Sequence, residues 1–267
     1  MKTILVATDY SKAANNALKY AANLAAVLDA RLVLFNAFKV SEHALNGLAS
    51  STSIDHMTDQ KRQQLKELAE RTSLKYHLEV EAVSHQGDIE ELLKRQTEQS
   101  KPDLVVLGME SNILAYEWFG NTTTSMIKTL KVPIMVVPNE VPYENINRIV
   151  FAYDPKFVSE SNDFLLLREI TNQYNAKLEV FHVNTNQSEH VALSSVEEVF
   201  EDVSFIYHEI ESSNVPASIS SEVEKFGANM LVMVPHKVTF FESLTTGSTT
   251  RKFALKSKIP LLILPNS

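Results

Sequence analysis

The 267-residue chain repeats itself. Lys131-Val132-Pro133-Ile134-Met135-Val136-Val137-Pro138-Asn139 matches Lys258-Ile259-Pro260-Leu261-Leu262-Ile263-Leu264-Pro265-Asn266. The same separation of 127 residues pairs Gly120 with Gly247, Thr122 with Thr249 and Thr123 with Thr250. One glycine pair, two threonine pairs and a proline-bounded apolar run in one register mark a duplicated unit. The beginnings match too: Ile4-Leu5-Val6-Ala7-Thr8-Asp9 resembles Ile149-Val150-Phe151-Ala152-Tyr153-Asp154, and Arg31-Leu32-Val33-Leu34-Phe35 resembles Lys177-Leu178-Glu179-Val180-Phe181. There the separation is about 145, so the first copy carries roughly 18 more residues, which fall in the polar stretch from Lys39 to Met57. Each unit is of ordinary domain size. The expected domains are 1–140 and 147–267, with Pro138, Pro142 and their polar neighbours breaking the periodicity between them.

Within a copy, short apolar runs alternate with amphipathic segments. The first copy reads as strands at 2–8, 31–38, 75–83, 103–108 and 133–138, with helices at 12–28, 58–72, 88–99 and 121–131. Ala17, Leu18, Ala21, Ala22, Leu24, Ala25 and Leu28 form one broad helical stripe, and Ser11 is placed to cap it. Leu104-Val105-Val106-Leu107 and Leu231-Val232-Met233-Val234 are apolar throughout, as strands covered on both faces are. Strand and helix in alternation predict an α/β fold, a parallel sheet with helices on both sides.

Composition narrows the chemistry. Apolar residues make up 44% and charged residues 22%, enough to bury a core. The absence of cysteine removes disulfides, thiol nucleophiles, iron–sulfur clusters and cysteine-based zinc sites, and agrees with a cytoplasmic home. A net charge of −8 argues against nucleic acid and anionic membrane surfaces as partners, and neither half is basic. The run Thr3 to Ala7 ends at Asp9 without a cleavage pattern and reads as a first strand, and no stretch is long and apolar enough to span a bilayer. Glycine is scarce: 6 residues where average usage predicts about 19. They supply neither a Walker A loop nor a G-x-G-x-x-G turn, and G-x-S-x-G and H-E-x-x-H are absent as well. The eight histidines have no ligand-like spacing, so no metal site is expected, and His182 reads as a hydrogen-bonded structural residue.

Open parallel sheets bind ligands at the carboxyl ends of their strands. In copy one those places follow Asp9, Phe38 and Gly108 and reach Gly120; in copy two they are Asp154, Val183, Val234 and Gly247. Gly120-Asn121-Thr122-Thr123 and Gly247-Ser248-Thr249-Thr250 each open a helix. There a glycine, hydroxyls and unpaired amides make either a phosphate cradle or an ordinary N-cap. Asp9 and Asp154 either contact a ribose, an adenine or a phosphate-bound metal, or cap the next helix. Tyr116, Trp118 and Phe119, matched by Phe240 and Phe241, form a lid, a partner surface or local packing.

These residues resemble a tandem universal stress protein: Val6-Ala7-Thr8-Asp9-Tyr10-Ser11, the strand Asp103-Leu104-Val105-Val106-Leu107-Gly108, then glycine and hydroxyls before a helix and a proline-led strand. The resemblance covers essentially the whole chain, twice. It implies two Rossmann-like domains of the adenine nucleotide alpha hydrolase type, each a five-stranded parallel sheet of order 3-2-1-4-5. It also implies pairing through the final strands, Pro133 to Pro138 and Pro260 to Pro265, as an intrachain pseudo-dimer or between two chains. Many members bind ATP through G-x2-G-x9-G-[S/T], the aspartate after the first strand and backbone near the end of the second. Carried over, the nucleotide-binding residues are Thr8, Asp9, Ala37, Leu107, Gly108, Ser111, Gly120, Asn121 and Thr122 in copy one. In copy two they are Asp154, Val183, Gly247, Ser248 and Thr249. Copy one departs at Ser111, which replaces a glycine, and Gly120 lies one residue closer to Gly108 than in the pattern. Copy two has the spacing, but Val234 and Lys237 replace glycines and Pro235 removes an amide donor, while Lys237 and Arg251 offer charge instead. The resemblance implies a stress-response regulatory protein binding ATP or another adenine nucleotide, with Mg2+, mainly in copy one and without efficient turnover. Alternatives are a nucleotide-free module that binds an unknown protein partner on the same fold, and a weak ATP-hydrolysing enzyme.

Overall fold

In the computed structural model the described residues are 1–39, 51–110, 125–127, 129–155, 164–185, 193–234 and 259–265. Copy one contains β1 (Lys2–Ala7), α1 (Lys12–Leu28), β2 (Ala30–Phe38), α2 (Ser51–Tyr76), β3 (Val80–Gln86), α3 (Ile89–Ser100), β4 (Leu104–Met109) and β5 (Ile134–Pro138). Copy two contains β6 (Arg148–Tyr153), α4 (Leu165–Tyr174), β7 (Lys177–Asn184), α5 (Leu193–Val199), β8 (Phe205–Glu211), α6 (Val215–Phe226), β9 (Met230–Met233) and β10 (Leu261–Ile263).

Caps set the helix limits. Ser11 Oγ accepts from the Ala14 amide at 3.1 Å to start α1, and Asp29 in the left-handed region ends it. Asp88 and Asn214 cap α3 and α6 in the same way. The predicted third strand at 75–83 is displaced: the helix before it, predicted at 58–72, runs from Ser51 to Tyr76, and the strand occupies Val80–Gln86. Leu65, Leu68, Ala69, Thr72 and Tyr76 continue one core-facing helical stripe past the predicted end, and His77, at φ 56°, supplies the stop. Residues 51–57, expected in the polar insertion, belong to this helix. Residues 125–127, inside the predicted 121–131 helix, are helical.

The ten strands of the described residues join one sheet in the order β3-β2-β1-β4-β5-β10-β9-β6-β7-β8. Every pairing is parallel except the seam between β5 and β10, where Val136 faces Leu261, Met135 faces Leu262 and Ile134 faces Ile263. Antiparallel pairing at the seam sends the carboxyl ends of the two copies to opposite edges of the sheet. Alternate side chains point to opposite faces, and both faces are covered. Ile4, Val6, Leu32 and Leu34 meet α1 and α2, continuing into Phe151, Val180, α4 and α5 of copy two. Leu5, Val33, Phe35 and Val105 meet α3, continuing into Phe181, Leu231 and α6. The segment between copies is tied down. Asn16 Nδ2 donates to the Pro138 and Val141 carbonyls at 2.9 and 2.7 Å, Tyr143 lies edge-on to Tyr20, and its hydroxyl pairs with that of Tyr174 at 2.9 Å. Lys2 also pairs with Glu169 of α4 across the copies.

Candidate functional site

The chain reverses its winding between β1 and β4. After β1 it crosses to β2 through α1 on one face, and after β3 it crosses to β4 through α3 on the other. That divergence opens the crevice in which sheets of this class hold ligands. Val6 pairs with Leu34 and Val106, so the ends of β1, β2 and β4 arrive at the crevice in step.

The predicted residues Thr8, Asp9, Ala37, Leu107 and Gly108 all sit at this edge. Thr8 is buried and tied to β2 twice: its amide donates to Phe35 O at 2.8 Å and its carbonyl accepts from Asn36 Nδ2 at 2.7 Å. Asp9 is exposed, and its Oδ1 accepts from the Ser11 amide at 2.9 Å, a local turn that leads into α1. Ala37 is half-buried beside His85 of β3. Leu107 is buried in the α3-side core.

Gly108 has a packing reason for being glycine. A Cβ there would stand 2.4 Å from the Ala13 carbonyl carbon and 2.7 Å from the Ala14 amide, so β4 and the first turn of α1 meet only without a side chain. In copy two the same strand position is Val234, which packs against the core. Asp154 is half-buried at the end of β6, and Val183 lies buried in β7 on the opposite sheet edge from Asp9. Ser111, Gly120, Asn121, Thr122, Gly247, Ser248 and Thr249 lie outside the described residues, as do Tyr116, Trp118, Phe119, Lys237, Phe240, Phe241 and Arg251.

Three residues that sequence reasoning passed over complete the edge in copy one. Tyr10 adopts φ 67°, a conformation that costs a non-glycine residue about 1–2 kcal/mol. Thr8 Oγ1 accepts its amide at 3.1 Å and Asn15 Nδ2 donates to its carbonyl at 3.0 Å. Burial raises the Tyr10 phenol above its ordinary range, and Lys61 Nζ stands 5.8 Å from its ring. Asn36 is 3% exposed in β2, directly beside Ser84 of β3. The Tyr10 hydroxyl, Asn36 Oδ1 and Ser84 Oγ are buried without a hydrogen-bond partner. They are the unsatisfied buried side-chain atoms among the described residues, and all belong to copy one. Such atoms are uncommon and point to a missing polar partner. Asn36 carried a sequence signal, since it interrupts the apolar run from Leu32 to Phe38.

Copy two answers the same need internally. His182 takes the place of Asn36 by register, and its Nδ1 lies 3.0 Å from the Tyr153 carbonyl, the counterpart of the bond from Asn36 to Thr8. Glu209, in the place of Ser84, accepts from Tyr207 at 2.8 Å and from Asn184 at 3.2 Å.

Comparison with known proteins agrees with this architecture. The profile of the universal stress protein family matches residues 1–138 and again 145–265. The chain therefore belongs to the universal stress protein family, as a tandem member. A universal stress protein from Archaeoglobus fulgidus superposes with a TM-score of 0.78 at 17% identity, covering 99% of this chain and 98% of that one. A functionally unknown protein of Pseudomonas aeruginosa gives 0.58 at 17% identity, over 100% of this chain and 93% of that one. A universal stress protein family member from Arabidopsis thaliana, solved with AMP bound, covers 54% of this chain and 97% of its own at 18% identity and a TM-score of 0.39. No curated protein matches the chain. Among the described residues no helix is long and apolar enough to cross a membrane.

Proposed function

We propose that this chain is a stress-response regulatory protein that binds an adenine nucleotide at the strand ends of copy one, without efficient turnover. The supporting observation is the set of three buried, unpartnered polar atoms on Tyr10, Asn36 and Ser84 at the edge where Thr8, Asp9, Ala37 and Gly108 converge. Their chemistry fits a nucleotide. Asn36 Oδ1 accepts from an amino group, and the two hydroxyls donate or accept. Asp9 and the Ala37 backbone hold the ribose and base in this reading. Gly120, Asn121 and Thr122 receive the phosphates, with Mg2+ beside them when ATP is the ligand. The nucleotide supplies a regulatory signal, and the chain's residues bind and orient it.

Copy two, proposed as residues 147–267 against 1–140 for copy one, serves as the structural partner across the seam. Val234 where copy one has Gly108, and the internal pairing of His182 and Glu209, favour this reading for its strand ends. Thermal unfolding with AMP and with MgATP tests the proposal. A rise in midpoint is expected with at least one of them, by preferential binding to the folded state. No shift at millimolar nucleotide, together with no nucleotide released from the purified, denatured protein, overturns it.

A further inference from the structure

Glu179 of β7, His208 of β8 and Glu222 of α6 converge on the α6 side of copy two, remote in chemistry and position from the strand-end crevice of copy one. Glu179 and Glu222 are 4% and 6% exposed, in a layer otherwise built from Phe181, Ile219 and Val223. Ionised carboxylates are rarely buried so deeply unless a positive group or a metal accompanies them. One donor atom from each of the three residues lies within 4.8 Å of the others. His208 Nδ1 is 3.3 Å from Glu179 Oε1 and 3.3 Å from Glu222 Oε1. The contact to Glu179 is a long hydrogen bond, against about 2.7–2.9 Å for a charge-assisted one. Donor atoms around a tetrahedral cation at bond lengths of about 2.0–2.1 Å are spaced about 3.3 Å apart, so the three side chains need little movement to receive one. Lys225 Nζ, 3.4 Å from Glu222 Oε1, belongs to a side chain that is 67% exposed, so its charge stays at the rim. The Phe181 ring, 5.4 Å from the imidazole, helps to fix its orientation.

Copy one is the internal control. Val83 stands beside Phe35 as His208 stands beside Phe181, and Val33 holds the place of Glu179. Aligning the caps of α3 and α6, Asp88 with Asn214 and Lys101 with Gly227, brings Gln96 onto Glu222. The same fold thus closes this layer with two valines and a glutamine, and has no need of two buried carboxylates and an imidazole there.

We infer that Glu179, His208 and Glu222 form a binding site for a divalent first-row transition cation, with Zn2+ the appropriate probe. One imidazole nitrogen and two carboxylates are a donor set suited to this class. The half-exposed side of His208 provides the approach and a position for a fourth ligand. Bound there, the cation would join α6 to β7 and β8 and stabilise the folded chain by mass action.

The test uses the full chain, stripped with chelator and titrated with Zn2+ by calorimetry. One ion per chain and a raised thermal midpoint are expected. Glu222→Gln, Glu179→Gln and His208→Gln each weaken binding at least tenfold while circular dichroism remains native, and His182→Gln leaves binding intact. X-ray absorption of the zinc-loaded wild-type chain, which requires no variant, should show a single imidazole among oxygen ligands. Absence of saturable binding up to millimolar Zn2+, affinity unchanged in the folded His208→Gln and Glu222→Gln proteins, or a zinc shell with no imidazole or with two would each overturn the inference.

Discussion

The two copies share one strand order and finish their strand ends differently. In copy one, Asn36 reaches the Thr8 carbonyl and keeps a buried oxygen unpaired beside Ser84, whose hydroxyl is also unpaired. In copy two, His182 makes the equivalent contact to Tyr153, and Glu209 is engaged by Tyr207 and Asn184. A duplicated fold can therefore leave buried polar atoms unpartnered in one copy and pair the corresponding positions internally in the other, while the hydrophobic layers stay continuous. The reverse holds on the α6 side, where copy two gathers Glu179, His208 and Glu222 and copy one has Val33, Val83 and Gln96.

The largest expected effect comes from forcing copy two's residue on copy one. Gly108→Val drives a side chain into the Ala13 and Ala14 backbone and should destabilise by about 3 kcal/mol or more, read by urea denaturation. A near-wild-type midpoint would show that α1 can move aside. Leu262→Ala, at the fully buried seam, should cost about 3 kcal/mol, and separate unfolding of the two copies at no cost to copy one would break the picture of a shared core. Replacing the whole cluster by copy one's residues, Glu179→Val, His208→Val and Glu222→Gln together, should stabilise the metal-free chain by about 1 kcal/mol, because no buried carboxylate is then left without its partner. A loss of stability would mean that the polar cluster itself holds α6. The smallest effect lies at the cap of α3. Lys39, together with the Glu90 and Glu91 amides, holds the Asp88 carboxylate below its ordinary pKa, so its contribution is complete above the usual carboxylate range and is lost as pH falls through the lowered value. Asp88→Ala should therefore lower the melting temperature slightly at neutral pH, with the gap to wild type closing in acid. A gap independent of pH would contradict that ion-pair origin.

The repeat and the apolar strands made the α/β class and the tandem organisation legible, because covered parallel strands must be apolar along their length. The error at residues 75–83 came from Tyr76 and Leu78. Both are apolar and suit a strand, yet Tyr76 completes the core stripe of α2. Thr8, Asp9, Ala37 and Gly108 were expected from the family resemblance, and the fold sets them at one sheet edge. Tyr10 and Ser84 were not, since a tyrosine in a turn and a serine in a half-exposed strand carry no pattern until register sets Ser84 beside Asn36. Glu179, His208 and Glu222 escaped because their spacing along the chain reflects three separate elements, and the fold alone brings them together. Gly108 was expected as the first glycine of the family's nucleotide pattern, and its neighbours give it a role in packing β4 onto α1.

The asymmetry between copies is tested most directly by calorimetric titration of the full chain with AMP and ATP, comparing wild type, Asn36→Leu and His182→Leu. One nucleotide per chain is expected, with about tenfold weaker binding in Asn36→Leu for the loss of roughly 1.4 kcal/mol and unchanged affinity in His182→Leu. Two equivalent sites per chain, or a loss confined to His182→Leu, would contradict the asymmetry.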